Sequence, residues 1–383
     1  MSNTDLRRGQ LGGLRQIGKG GTAFVYAVNH PGIGPHPEVV FKEYRQSVRR
    51  SAGPGLLPGL RSIVGFLDQL EPAPRRFFDQ RMIWPLRVVV NDDGDAAQGI
   101  IMRLIPREFF QDINLPSGRR EREPSELQFL LMGDEDASKA GVEVPNIPDR
   151  IQICAQMARS FGLLHHSGVV YGDISARNAV YHLHGRAPEV LLVDCDSVRV
   201  RGTRSPFRSQ PHTPRWEPPE ALAARSALRR AHRSGSAVSS SVSSLQHQAV
   251  VQSKETDVYK FGLLMVRILD YGRYRSANRD PAKAAALLGY HVGNAAVDLL
   301  YRTLAESPGD RPSMREWYEV IVGRSVASRS GLATMERTAG VHHDQPSKST
   351  PIHLSAGTEV QSVHANVGSW RWTEGVGWSR SKA

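Results

Sequence analysis

The sequence predicts an α+β fold, a small antiparallel sheet with one main helix, followed by a larger helical part. Three patterns carry this expectation. Residues 14–41 read as strands: Leu14-Arg15-Gln16-Ile17, a glycine cluster, Ala23-Phe24-Val25-Tyr26-Ala27-Val28 and, past a Gly/Pro-rich connection at 31–37, Val39-Val40-Phe41-Lys42. Leu60, Ile63, Val64, Leu67 and Leu70 recur at helical spacing, which predicts one helix with a single buried face. Residues 87–90 and 99–105 flank the turn Asn91-Asp92-Asp93-Gly94 as a hairpin.

Beyond Pro106 the pattern turns helical. Residues 114–124 are polar and read as loop. Asp149 is a candidate cap for a helix over 150–165, with Ile151, Cys154, Met157, Ala158, Phe161 and Leu164 as its buried stripe. Residues 222–254 are rich in Ser, Arg and Ala and read as a disordered insertion. A buried helix over 257–269 and further helices to about 322 complete the domain. Residues 324–383 read as a flexible tail whose end carries Trp370, Trp372 and Trp378, a candidate docking element for the domain or a partner.

Composition narrows the function classes. The longest apolar run, 261–269, is short and broken by Arg267, so no membrane span is expected. Nor does the start of the chain have the order of a signal peptide, and a cytoplasmic protein is expected. Two cysteines, Cys154 and Cys195, exclude a disulfide framework and a Cys-based zinc site. The net charge of +11 comes from scattered arginines, Arg119, Arg120 and Arg122 in one stretch and Arg225, Arg229, Arg230 and Arg233 in another. No aromatic residues alternate with them, so they read as solvated surface, not as a nucleic-acid site. An acidic protein substrate would use the same charge.

The chemistry concentrates in two stretches. Leu164-His165-His166-Ser167-Gly168-Val169-Val170-Tyr171-Gly172-Asp173-Ile174-Ser175-Ala176-Arg177-Asn178 puts a carboxylate and a carboxamide five positions apart, between a helical stripe and an extended run. Leu191-Leu192-Val193-Asp194-Cys195-Asp196 then ends a buried-strand pattern in two carboxylates. A proton acceptor, an amide oxygen and a second acidic group are what phosphoryl transfer with a divalent metal requires. Upstream, Ile17-Gly18-Lys19-Gly20-Gly21-Thr22-Ala23-Phe24-Val25-Tyr26 is a glycine turn between strands, where absent side chains let backbone N–H groups approach phosphate. A hairpin turn would use the same glycines for its own φ angles.

Together these stretches resemble the protein kinase superfamily, in the manner of a divergent bacterial eukaryotic-like serine/threonine protein kinase. The resemblance spans about residues 12–323 and includes Thr213-Pro214-Arg215-Trp216-Glu217-Pro218-Pro219-Glu220, Thr256-Asp257-Val258-Tyr259-Lys260-Phe261-Gly262 and Asp310-Arg311-Pro312-Ser313. It implies a two-lobed fold, an N-lobe over 8–106 and a C-lobe over 107–323, with ATP between them and Mg²⁺ or Mn²⁺ as metal. Asp173 then takes the place of the catalytic base and Arg177 that of a γ-phosphate cation. Asn178 and Asp194 become metal ligands, and Asp196 a further ligand or a hydrogen-bond acceptor. Ile17, Gly18, Gly20, Gly21, Val25 and Lys42 form the nucleotide site. The helix partner of Lys42 is Asp68 or Glu71, and Glu71 is preferred because it shares the face of Val64 and Leu67. Glu220 is implied to pair with Arg311, and Asp257 to bind amides of the catalytic loop. The sequence departs from the family pattern at Ala23, Tyr171-Gly172, Ser175 and Cys195. Ala23, Tyr171-Gly172, Cys195 and the late-placed helix carboxylate leave a pseudokinase as the alternative. A nucleic-acid adaptor working through the basic insertion and tail is a third class. Ser175 and Arg177 leave tyrosine or a small molecule open as acceptor beside the default serine or threonine.

Overall fold

In a computed structural model, residues 5–28, 38–183, 185, 187–207, 210, 212–233, 240–272 and 277–322 are described, together with strand segments at 365–367, 370–373 and 377–380. The fold is mixed α and β, with its main sheet in the N-terminal region.

That sheet contains β1 (Asp5–Arg7), β2 (Leu14–Lys19), β3 (Ala23–Val28) and β4 (Val39–Tyr44). Three helices follow, α1 (Gln46–Ala52), α2 (Leu56–Phe66) and α3 (Pro72–Arg81), and then β5 (Pro85–Val90) and β6 (Ala97–Arg103). The strand order is β1-β5-β6-β4-β3-β2, antiparallel except where β1 joins β5. β4 is central, and Val39, Val40 and Phe41 are buried as a strand covered on both faces requires. Gly99 lets β6 approach it: a Cβ there would lie 2.0 Å from the Lys42 carbonyl oxygen.

The expected single helix over 60–70 is shorter than its apolar stripe. α2 ends at Phe66, residues 67–69 tighten into a 3₁₀ turn, and Pro72 opens α3. α3 carries Phe78 into a cluster with Phe66 and Trp84, and the Trp84 indole donates to the Ile63 carbonyl at 2.8 Å. This cluster belongs to one continuous core that runs on through the helical part to Trp317.

Residues 114–124, expected as loop, form most of a hairpin of β7 (Phe110–Asn114) and β8 (Arg120–Pro124). None of its strand residues is fully buried, so the pair lacks the apolar alternation that marks a strand packed on a core. α4 (Asp134–Ala140) leads to α5 (Ile147–His166), capped by Asn146 and not by Asp149, whose N–H donates to the Asn146 side chain at 2.8 Å. Short strands β9 (Val169–Val170), β10 (Ala179–His182), β11 (Glu189–Leu192) and β12 (Arg199–Val200) pair as β9–β12 and β10–β11.

The insertion expected to be disordered is corrected over its described residues, 234–239 lying outside them. α6 (Pro219–Arg233) and α7 (Ser240–Val250) pack on one another, with Ala221, Ala224, Val242 and Ala249 buried. Small side chains suffice for that contact, and alanine and arginine favour helix. α8 (Lys254–Leu269) is buried from Thr256 to its last residue. α9 (Ala282–His291), α10 (Asn294–Thr303) and a helix over 314–322 pack around it.

Near the end of the chain, β13 (Ala365–Val367), β14 (Trp370–Thr373) and β15 (Gly377–Arg380) form an antiparallel sheet with Trp372 opposite Trp378. Residues 324–364 of the expected tail and the 31–37 connection lie outside the described residues. No helix among the described residues is long and apolar enough to cross a membrane.

Candidate active site

The loop from Tyr171 to Asn178 is held from below by α8. Asp257, fully buried in the first turn of that helix, accepts the N–H groups of Tyr171 and Gly172, each at 2.8 Å, and lies 3.1 Å from His165 Nε2. Lys260, one turn on, donates to the Gly172 carbonyl at 2.6 Å and to the Gln252 side chain. Burial lowers its ammonium to about 8, against the raising effect of Asp257 and Asp173. From the other side the buried Tyr171 hydroxyl donates to the carbonyls of Asn178 and Val193, tying the loop to the 191–196 stretch. Gly172 holds a φ of 80°, where a side chain would be strained and would meet Gln210.

Within this frame Asp173 is engaged at both oxygens. Asn178 Nδ2 donates to its Oδ2 at 2.8 Å and to its backbone carbonyl at 2.6 Å. The Thr213 hydroxyl donates to its Oδ1 at 2.6 Å. Arg177 turns away to Gln128, its Nε donating at 3.2 Å, and Gln128 in turn donates to Glu126 at 2.6 Å. Burial and nearby Asp194 push the Glu126 carboxyl up to about 8, although Arg177 opposes the rise.

The structure brings Lys42 together with both acidic residues of the second stretch. Lys42 Nζ lies 3.0 Å from Asp194 Oδ1 and 2.9 Å from Asp196 Oδ1, and the Tyr44 hydroxyl donates to Asp196 Oδ2 at 2.6 Å. Burial alone would lower the Lys42 ammonium, but the two carboxylates outweigh it and hold it above the ordinary lysine range. Burial likewise opposes ionisation of Asp196, yet Lys42 and Tyr44 keep that carboxyl below its ordinary value. The Asp194 backbone adopts a φ of 57°, left-handed and costly for a non-glycine residue, a conformation that recurs at functional sites.

Glu71 does not join them. It is exposed at the N-terminal boundary of α3, whereas Lys42 is buried among the carboxylates above. The helical spacing carried the expectation across the break at Leu67–Gln69, and a new helix axis begins at Pro72. The glycine turn lies where β2 meets β3. Gly18 pairs with Val25 beside a bulge, Ile17 is exposed, and Gly20 N–H donates to the Ala23 carbonyl at 2.8 Å. Arg45 latches the turn by donating to the Gly20 carbonyl at 2.8 and 3.1 Å. A Cβ at Gly21 would meet nothing within 4 Å.

Glu220 and Arg311, 91 positions apart, form a two-pronged ion pair at 2.9 and 2.7 Å. Tyr44, Glu126, Gln128 and the supporting role of Lys260 are beyond the sequence reading. Lys260 had a visible signal, a lone lysine within an apolar helix. The other three sit on ordinary strand, loop and 3₁₀ positions that carry no pattern. Among the described residues no cluster of three or more His, Cys, Asp or Glu side chains could by itself hold a metal ion. In comparisons with known proteins the sequence matches no family model and no curated protein.

Proposed function

We propose that the chain has a two-lobed protein-kinase-like fold and transfers phosphate from ATP to a protein hydroxyl, serine or threonine. The observation that carries this reading is the state of Asp173, whose Oδ1 already accepts a hydroxyl, that of Thr213, at 2.6 Å. A carboxylate so placed can orient an acceptor hydroxyl and take its proton. Asn178 fixes the other oxygen, leaving one oxygen for that exchange. Lys42, kept charged, would position nucleotide phosphates beneath the glycine turn.

The donor set fits Mg²⁺ or Mn²⁺. Asp194, with a side chain 48% exposed, and the Asn178 amide oxygen are hard ligands on adjoining backbone, Val193 N–H donating to the Asn178 carbonyl at 3.0 Å. Two protein ligands match the habit of Mg²⁺, which completes its shell with water and substrate phosphates. When bound, the metal would neutralise charge developing on the transferred group.

A pseudokinase is the second reading, and one observation favours it: no carboxylate of α2 reaches Lys42, because residues 56–66 contain no Asp or Glu. Phosphate transfer from labelled ATP, with wild type beside Asp173→Asn and Asp194→Ala, separates the two. Incorporation lost in both variants is the expected result. A wild type that incorporates nothing but melts higher with ATP would establish the pseudokinase.

A further inference from the structure

We propose that Asp196, clasped by Tyr44, is the positioning residue for Lys42, and that the 205–207 segment docked on α2 and Tyr44 secures it. The inference rests on the kinase-like reading for its functional meaning, and on geometry alone for the pairing.

The acidic residues near α2 are committed elsewhere or distant. The only charge of α2 is Arg61, paired with Asp5 at 2.5 Å, and Asp68 pairs with Arg75 at 2.8 Å. Lys42 and Tyr44 lie two apart on β4, so their side chains leave the same face of the sheet. Between them they engage both oxygens of Asp196, at 2.9 Å from the ammonium and 2.6 Å from the phenol. A carboxylate gripped at both oxygens has no rotamer left to explore.

The two acidic residues of the stretch therefore differ in role. The Asp196 side chain is 5% exposed and Asp194 is 48% exposed. A buried carboxylate is tolerated only with charge and hydrogen-bond partners, and Lys42 and Tyr44 are those partners. Both oxygens of Asp196 are taken, whereas Lys42 holds Asp194 through Oδ1 alone. A carboxylate engaged at both oxygens can serve a metal only by weakening that grip. Asp194, half in solvent, can serve one with its other oxygen. Asp196 is thus better placed as the fixed counter-ion than as the metal ligand the resemblance implied.

What covers the pair comes from further along the chain. The Tyr44 ring meets Phe207 edge-on with centroids 5.8 Å apart. Gly59 of α2 faces Pro206 so closely that a Cβ would lie 2.4 Å from the Pro206 backbone. The 205–207 segment is wedged between α2 and Tyr44, and Tyr44 transmits its seating to Asp196. Lys42 is then placed by a strand and the segment following Asp196, with no helix carboxylate involved.

The test uses the full chain and two readouts. Acylation of Lys42 by a small amine-reactive reagent at one fixed pH, followed by peptide mass spectrometry, reports how firmly the lysine is held and covered, without any nucleotide. Binding of a fluorescent ATP analogue across Mg²⁺ concentrations reports the site. Asp196→Asn is expected to speed Lys42 acylation about tenfold, because the amine loses the carboxylate that clasps it. It should also weaken nucleotide binding about tenfold with unchanged Mg²⁺ dependence. Tyr44→Phe, which keeps the ring and its packing, should move both readouts the same way by less, and Phe207→Ala should follow Tyr44→Phe. Asp194→Asn should instead change the Mg²⁺ requirement. Wild-type acylation rates in Asp196→Asn and Tyr44→Phe would overturn the proposal, as would a changed Mg²⁺ requirement in Asp196→Asn. A wild type that binds no nucleotide would sink the kinase-like reading, while the acylation result would still decide the pairing.

Discussion

Asp257 and Gly172, 85 positions apart, are joined by a hydrogen bond of 2.8 Å from the glycine N–H to the aspartate Oδ1. The other oxygen of the same carboxylate holds the N–H of Tyr171. The loop that carries Asp173 is therefore shaped from inside the helical core. Asp257→Ala would leave two backbone N–H groups and His165 without their acceptor at a site with no solvent. Hydrogen bonds to a buried charge put the loss at about 3–5 kcal/mol. Urea unfolding should show it as a lowered midpoint, and Asp257→Asn, which keeps one acceptor oxygen, should lose less.

Gly59→Ala sets two effects against each other. Alanine in a helix interior stabilises by about 1 kcal/mol over glycine. Here the added methyl would sit 2.4 Å from Pro206 backbone, and overpacking costs about 1–3 kcal/mol. The clash wins. The variant should melt lower than wild type, and limited proteolysis should cut near residues 205–207 sooner.

Glu126 gives stability a pH dependence whose sign is fixed. Its carboxyl is raised from 4.5 to about 8 by burial and Asp194. Between those values the unfolded chain has lost the proton and the folded chain retains it. The folded state binds more protons there, so this group makes stability fall as pH rises through that window. Thermal melts across the window should show a shallower decline for Glu126→Gln than for wild type.

Glu220→Ala would strand Arg311, whose side chain is fully buried. The guanidinium keeps the carbonyls of Ala305, Glu255 and Glu306 but loses both charged acceptors. A cost of about 3 kcal/mol is expected from breaking a buried pair on one side, read from denaturant unfolding.

The sequence was most legible where chemistry and local spacing coincide. Asp173 and Asn178 are five apart in one loop, so their hydrogen bond needs little more than that loop's conformation. Lys42 was visible because a lysine closes a run of buried strand residues. Its partners were not, since contacts 152 and 154 positions away depend on how two elements meet. Glu71 was misplaced because periodicity persists through Leu67 and Leu70 although the helix axis does not. The pairing of α6 with α7 stayed hidden because the side chains these helices fully bury are alanines and one valine, too small to mark a stripe.

The aromatic cluster of Phe66, Phe78 and Trp84 belongs to the same core as Phe161, Phe261 and Trp317. A cut near residue 106 would therefore not release two autonomous pieces. Each fragment would expose the apolar surface along which α2 and α3 meet the helical part, the kind that drives aggregation. The strands of the sheet keep apolar clusters of their own around Val88 and Phe41, so the damage would fall on α2, α3 and the helices they meet.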